Sequence, residues 1–250
     1  MTRVIAVANQ KGGVAKTTTV QSLAAAFAEL GRQVLVVDLD PQACLTYSMG
    51  VDSDGLDLSI HDVMLGRTTA AKTIVEAGDV HLLPSTIDLA GAEIHLLTKT
   101  GREYVLSKAL RPVLSEYDLV MIDCPPSLGI LTINGLTAGR EVLIPLQAET
   151  LSHRGVGQLL ETIDDVRAYT NSDLRVLGAV ATMFDSRTRL AREVVEDLPQ
   201  RYEIAVLEPP IPKTVRVAEA PARGVSVLQS ARRSTAAEAY RALALNLDSA

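Results

Sequence analysis

The chain has 250 residues, 47% hydrophobic and 22% charged, with a formal net charge of −6; these values fit an ordinary globular protein and exclude a coat of basic surface, though not a local basic patch. No apolar run approaches the roughly 20 residues that span a bilayer. Met1-Thr2-Arg3 leads into a predicted strand without a signal peptide, and Cys44 and Cys124 lack metal-ligand spacing, so the expected compartment is the cytoplasm.

Val4-Ile5-Ala6-Val7-Ala8 is an apolar run of strand length, and Val20, Leu23, Ala24, Phe27 and Leu30 fall on one face of a 3.6-residue period, with Gly31 as the stop. Between them lies Asn9-Gln10-Lys11-Gly12-Gly13-Val14-Ala15-Lys16-Thr17-Thr18-Thr19. A buried strand, a glycine turn and a helix N-terminus, in that order, form a cradle for phosphate, because turn amides and the helix dipole both favour an anion there. Lys16 is placed to reach the β- and γ-phosphates, and the Thr17 hydroxyl to ligate Mg²⁺. Ala15 stands where the ordinary pattern has its last glycine. It either takes a helix-compatible conformation, which is cheap at a helix start, or accepts strain.

Val34-Leu35-Val36-Val37 is continuous in the manner of a parallel strand covered on both faces, and it ends in Asp38-Leu39-Asp40-Pro41. Carboxylates at the end of a buried strand are costly without a cation or donors, and open α/β sheets bind ligands at those ends. Asp57 to Leu65 reads as a short helix stopped by Gly66, and Val80 to Pro84 as a short strand. Leu106, Ala109, Leu110, Val113 and Leu114 predict an amphipathic helix. Leu119-Val120-Met121-Ile122-Asp123 is again an apolar strand ending in an acid, suited to hold a Mg²⁺ water, and Cys124-Pro125-Pro126 breaks it.

Val142 to Pro145 and Leu177 to Phe184 are further strands. Val156, Leu159, Leu160, Ile163 and Val166 mark one helix, preceded by a solvated His153-Arg154, and inward-facing Leu190, Val194, Val195 and Leu198 mark another. The last helix, Ser234 to Leu247, presents Tyr240, Leu243 and Leu247 on one face and lacks the clustered Lys and Arg of a membrane-surface helix. This alternation without linker or repeat predicts one domain over 1–250, a P-loop three-layer α/β/α sandwich with a mainly parallel central sheet.

The second lysine, Lys11, narrows the family. K-G-G-x-x-K-T-T, Asn9-Gln10 before it and Asp38-Leu39-Asp40-Pro41-Gln42 after it resemble the ParA/Soj chromosome-partitioning branch of the ParA/MinD deviant Walker A ATPases. Ser85 to Glu93 and Pro209 to Pro221 extend the resemblance over nearly the whole chain. It implies hydrolysis of ATP with Mg²⁺. Lys11, Gly12, Gly13, Val14, Ala15, Lys16, Thr17 and Thr18 surround the phosphates, and Lys11 crosses to the partner's nucleotide in an ATP-dependent homodimer. Asp40 positions the attacking water, and Thr17, Asp38 and Asp123 lie around the metal. Pro212 and Thr214, the latter where the family usually has asparagine, lie around the adenine.

The resemblance also implies sequence-independent binding of double-stranded DNA through Arg187 and Arg216, with Lys213, Arg223, Arg232 and Arg233 as further contacts. A ParB-like centromere-binding protein would stimulate hydrolysis, and the protein would be cytoplasmic and nucleoid-associated, with no membrane partner. From Arg201 to Arg233 six basic residues stand against three acidic ones, a local balance of +3. So few charges hold DNA poorly at physiological salt unless two subunits combine them. Rival readings are a MinD-type membrane-cycling ATPase, an iron–sulfur carrier, a P-loop small-molecule kinase or ligase, and a ParA-like regulatory protein.

Overall fold

The computed structural model describes residues 2–148 and 152–249, and for 152–154 the backbone alone, so the side chains of His153 and Arg154 lie outside the described residues. In chain order the elements are β1 (Arg3–Val7), α1 (Lys16–Glu29), β2 (Val34–Asp38), α2 (Cys44–Ser48), α3 (Ile60–Leu65), α4 (Ala70–Thr73), β3 (Val75–Ala77), β4 (Val80–Leu83), α5 (Leu89–Leu96) and α6 (Val105–Leu110). They continue as β5 (Leu119–Asp123), α7 (Ile130–Ala138), β6 (Glu141–Gln147), α8 (Ser152–Tyr169), β7 (Arg175–Thr182), α9 (Arg189–Tyr202), β8 (Val206–Leu207), α10 (Val215–Glu219), α11 (Val227–Ser230) and α12 (Thr235–Asp248).

The strands form one eight-stranded sheet in the order β3-β4-β2-β5-β1-β6-β7-β8. Every pairing is parallel except β3 with β4. The continuous apolar runs are explained by two-sided burial. Ile5, Val7, Val36, Met121 and Leu143 pack toward α1 and α12, whereas Val4, Ala6, Leu35, Val37, Val120 and Ile122 pack toward α6, α7 and α8. The two-residue alternation of a strand thus feeds two cores from one run.

That sheet order sets the site. β5 lies between β2 and β1, with Asp123 in register with Asp38 on one side and Val7 on the other. The acidic ends of β2 and β5 therefore stand beside the loop that leaves β1.

Several boundaries differ from the sequence reading. The helix expected through Leu114 ends at Leu110, and a separate 3₁₀ turn covers Leu114–Glu116. β7 stops at Thr182 because Met183 adopts a left-handed φ of 48°. Leu190, expected inward, is exposed in the first turn of α9, where Ala191, Val194 and Leu198 carry the burial. Gly66 does end α3 in the left-handed region, and Gly31 follows α1 with φ 81°.

Candidate functional site

The loop from β1 to α1 is held from three directions. Asn9 Nδ2 donates to the Pro145 carbonyl at 2.8 Å, while Asn9 Oδ1 accepts from the Lys11 N–H at 3.0 Å. Thr182 Oγ1 at the end of β7 donates to the Val14 carbonyl at 3.0 Å, and Lys16 Nζ donates to the Lys11 carbonyl at 3.3 Å. Asn9 entered the sequence reading only as part of a motif, and Thr182 only as part of a strand; nothing local marks a threonine at a strand end as a clamp on a loop 168 residues away.

Gly13 has φ 74°, and Ala15 takes the strained alternative, φ 62° and ψ 34°, rather than a helix-compatible one. A left-handed conformation costs an L-residue roughly 1–2 kcal/mol. Ala15 shares this conformation with Ala43 and Met183, and all three line one cavity of about 1020 Å³. Backbone strain of this kind concentrates where surrounding structure fixes a binding site. Gly12, Gly13, Lys16, Thr17 and Thr18 line the same cavity at the loop, and Asp40 lines it from the end of β2. Pro212 and Thr214 stand on the wall that α10 continues.

Lys16 is buried, and its ammonium is shifted down by that burial, with Asp123, Cys124 and Asp40 opposing the shift electrostatically. Burial also pushes the Asp123 carboxyl well above its usual range; nearby Asp38 raises it further, while Thr17 and Lys16 favour the ionised form. Thr17 Oγ1 donates to Asp123 Oδ2 at 2.6 Å, but Asp123 Oδ1 is buried without a hydrogen-bond partner. An orphaned carboxylate oxygen beside a threonine hydroxyl suits a hard divalent cation. Among the described residues no group of three or more His, Cys, Asp or Glu could hold a metal. The Thr17 hydroxyl and the orphaned Asp123 oxygen suit Mg²⁺, which is usually held by few protein oxygens together with nucleotide phosphates.

Asp38 stands beside Asp123 at the end of β2. It is fully buried and does not line the cavity. Its Oδ2 accepts from the Thr46 amide and hydroxyl, at 2.8 and 2.7 Å, and its Oδ1 from the Asp40 N–H at 3.2 Å. The two Thr46 donors come from α2, too short an element to read from sequence. The Thr214 hydroxyl is also engaged within the chain, capping α10 by accepting from the Arg216 N–H at 3.2 Å.

The basic candidates do not form one cluster. Lys213 is exposed, and its N–H pairs with the Phe184 carbonyl at 3.2 Å, which brings it beside the turn that carries Arg187. Arg187 makes a two-pronged pair with Asp185 at 2.9 and 2.8 Å, holding that carboxyl down at about 2, and Arg216 pairs with Glu219 at 3.3 Å. Arg223 is exposed in the 3₁₀ turn Pro221–Arg223. Arg232 and Arg233 are exposed elsewhere: the Arg232 carbonyl accepts from Arg241, which is paired with Glu29 at the far end of α1. That end is about 20 Å from the loop at 1.5 Å per helical residue.

Comparison with known proteins agrees with this geometry. Residues 2–176 match the AAA domain family. The chain is 42% identical over 248 residues to the sporulation initiation inhibitor protein Soj of Bacillus subtilis, covering 98% of this chain and 97% of that protein. It is 41% identical over 247 residues to the chromosome partitioning protein ParA of Myxococcus xanthus, covering 98% and 87%. A solved structure of cobyrinic acid a,c-diamide synthase from Mycobacterium smegmatis with bound ADP and magnesium superposes with a TM-score of 0.89 at 54% identity, covering 99% of this chain and 94% of that one. With its loop, its paired strand-end acids and these full-length relatives, the chain belongs to the ParA/Soj family of partitioning P-loop ATPases.

Proposed function

We propose that the protein is an ATP-driven DNA-partitioning ATPase, acting on the nucleoid in the cytoplasm, that dimerises on ATP and binds double-stranded DNA without sequence preference. The observation that carries this reading is the juxtaposition of Lys16, Thr17 and Asp40 around one cavity, with buried Asp123 accepting the Thr17 hydroxyl from behind the lining. Lys16 and the loop amides bind the phosphates of ATP, and Thr17 with Asp123 would hold the accompanying Mg²⁺, which would supply charge neutralisation for the phosphates. Asp40, half-buried at the cavity wall, accepts a hydrogen bond from the attacking water and orients it. Pro212 and the α10 wall enclose the base.

Lys11, half-buried on the loop, reaches the phosphates of a second subunit, so that ATP completes the dimer. A cation placed there in a water-poor interface stabilises developing phosphate charge far better than in water. Dimerisation brings two sets of Arg187, Lys213 and Arg216 to one duplex, and hydrolysis, stimulated by a ParB-like partner, separates them. Co-sedimentation with a random-sequence duplex tests the scheme: binding with ATP but not with ADP or without nucleotide is expected. Equal binding in all three conditions would sink it.

The similarity to cobyrinic acid a,c-diamide synthase from Mycobacterium smegmatis supports a second reading, ATP-dependent amide formation on a carboxylic acid. Phosphate release that requires a carboxylic acid and an ammonia source, and ignores DNA, would select it.

A further inference from the structure

We propose that Thr46 and Ser85 are positioning residues for Asp40, closing a buried hydrogen-bonded ring that fixes where the Asp40 carboxylate enters the cavity. The ring passes through four residues of three segments. The Asp40 N–H donates to Asp38 Oδ1 at 3.2 Å. Asp38 Oδ2 accepts from the Thr46 hydroxyl at 2.7 Å and the Thr46 N–H at 2.8 Å. The Thr46 hydroxyl oxygen accepts from the Ser85 N–H at 2.9 Å, and Ser85 Oγ donates back to the Asp40 carbonyl at 2.9 Å.

Asp38, Thr46 and Ser85 are each 0% exposed, so water cannot replace a lost member, and only Asp40 reaches the cavity. The residue types are demanding. A threonine hydroxyl has one proton to give and lone pairs to accept with, and Thr46 uses both functions at once. Asp40 has little else to hold it. Pro41 follows with no N–H, the Asp40 carbonyl has one more donor in Ala43 at 2.9 Å, and its carboxylate takes the Gln42 N–H at 2.9 Å. The ring ties the end of β2 to α2 and to the segment that follows β4.

The inference rests on the reading of Asp40 as the residue that orients water. A displacement near 1 Å of such a group can cost as much as about 100-fold in rate. Thr46→Val keeps the side-chain shape and removes both hydroxyl functions; Ser85→Ala removes only the donor to Asp40. In the full chain with saturating Mg-ATP, both are expected to lower kcat by about tenfold or more, with ATP affinity, measured by titration calorimetry, unchanged. Thr46→Ser, which retains the hydroxyl, should restore kcat. A merely structural role would instead lower the melting temperature without the split between kcat and ATP affinity.

If Thr46→Val does not fold, Ser85→Ala carries the test alone. Unchanged kcat in the folded variants, while Asp40→Ala abolishes turnover, would overturn the ring and leave the Asp40 reading intact. Undiminished turnover in Asp40→Ala would remove the Asp40 reading itself, and the ring with it.

Discussion

Two residues show how far local chemistry decides this site. Ala15 holds a left-handed backbone that glycine would adopt freely. Ala15→Gly should raise the unfolding free energy by on the order of 1 kcal/mol, the relief of strain exceeding the added freedom of the unfolded chain. Chemical denaturation checks this, and a destabilised variant would show that the alanine methyl is held favourably in the loop. Asp38 carries the opposite kind of tension. Burial pushes its carboxyl from 3.8 up to about 6, with the Thr46 and Asp40 donors opposing the shift only in part. The folded state therefore binds more protons than the unfolded one between those values. Stability from this group is complete below the unfolded pKa and is lost as pH rises through about 6. The rise from 3.8 to about 6 corresponds to about 3 kcal/mol. Asp38→Asn cannot ionise, so the wild-type stability minus that of the variant should fall by about that amount between roughly pH 4 and 7 in chelator. A flat difference would mean that Asp38 titrates like a surface acid.

Elements differ in how well the sequence announces them. β1, β2 and β5 are legible because two-sided burial demands unbroken apolar runs, and the acids that end β2 and β5 mark the ligand edge of the sheet. α2, α4 and β8 are not, because pieces of two to five residues take their form from the elements they touch. Thr46 and Ser85 escape for the same reason: their partners are fixed only once α2 and β4 dock beside the end of β2. α12 is legible in both its apolar face and its role. Ala236, Ala237, Tyr240, Leu243, Ala244 and Leu247 are buried toward α1, and the Tyr240 hydroxyl lies 3.3 Å from Thr19 Oγ1. A helix used this way gives its apolar face to the core, and among the described residues no helix is long and apolar enough to cross a membrane. Tyr240→Ala should cost about 3–5 kcal/mol, as for other large aromatic truncations in a core. Thermal melting reads the loss, and a change below about 1 kcal/mol would mean that α12 detaches readily.

For the molecule as a whole, charge arrangement matters more than charge count. A chain of −6 must present its basic residues in one direction to hold DNA, and the fold brings Lys213 beside the Arg187 turn while Arg232 sits by the far end of α1. Arg187 and Arg216 each stand against an acid, so either one offers less free charge to a phosphate than an isolated arginine. Both pairs are exposed, however, and exposed pairs are worth only about 0–1 kcal/mol, little enough for a phosphate to compete. The slope of log affinity against log salt then counts the subunits involved. Each phosphate neutralised on duplex DNA contributes about 0.9 to that slope. If the ATP-bound form is a dimer that uses Arg216 from both subunits, Arg216→Ala should reduce the slope by about 1.8, against about 0.9 for one subunit. ATP affinity should be unaffected, because Arg216 does not line the cavity. Binding to random duplexes across a salt series, in ATP, makes the measurement. A reduction near the smaller value would count against paired subunits on DNA, and an unchanged slope would move the DNA contact away from α10.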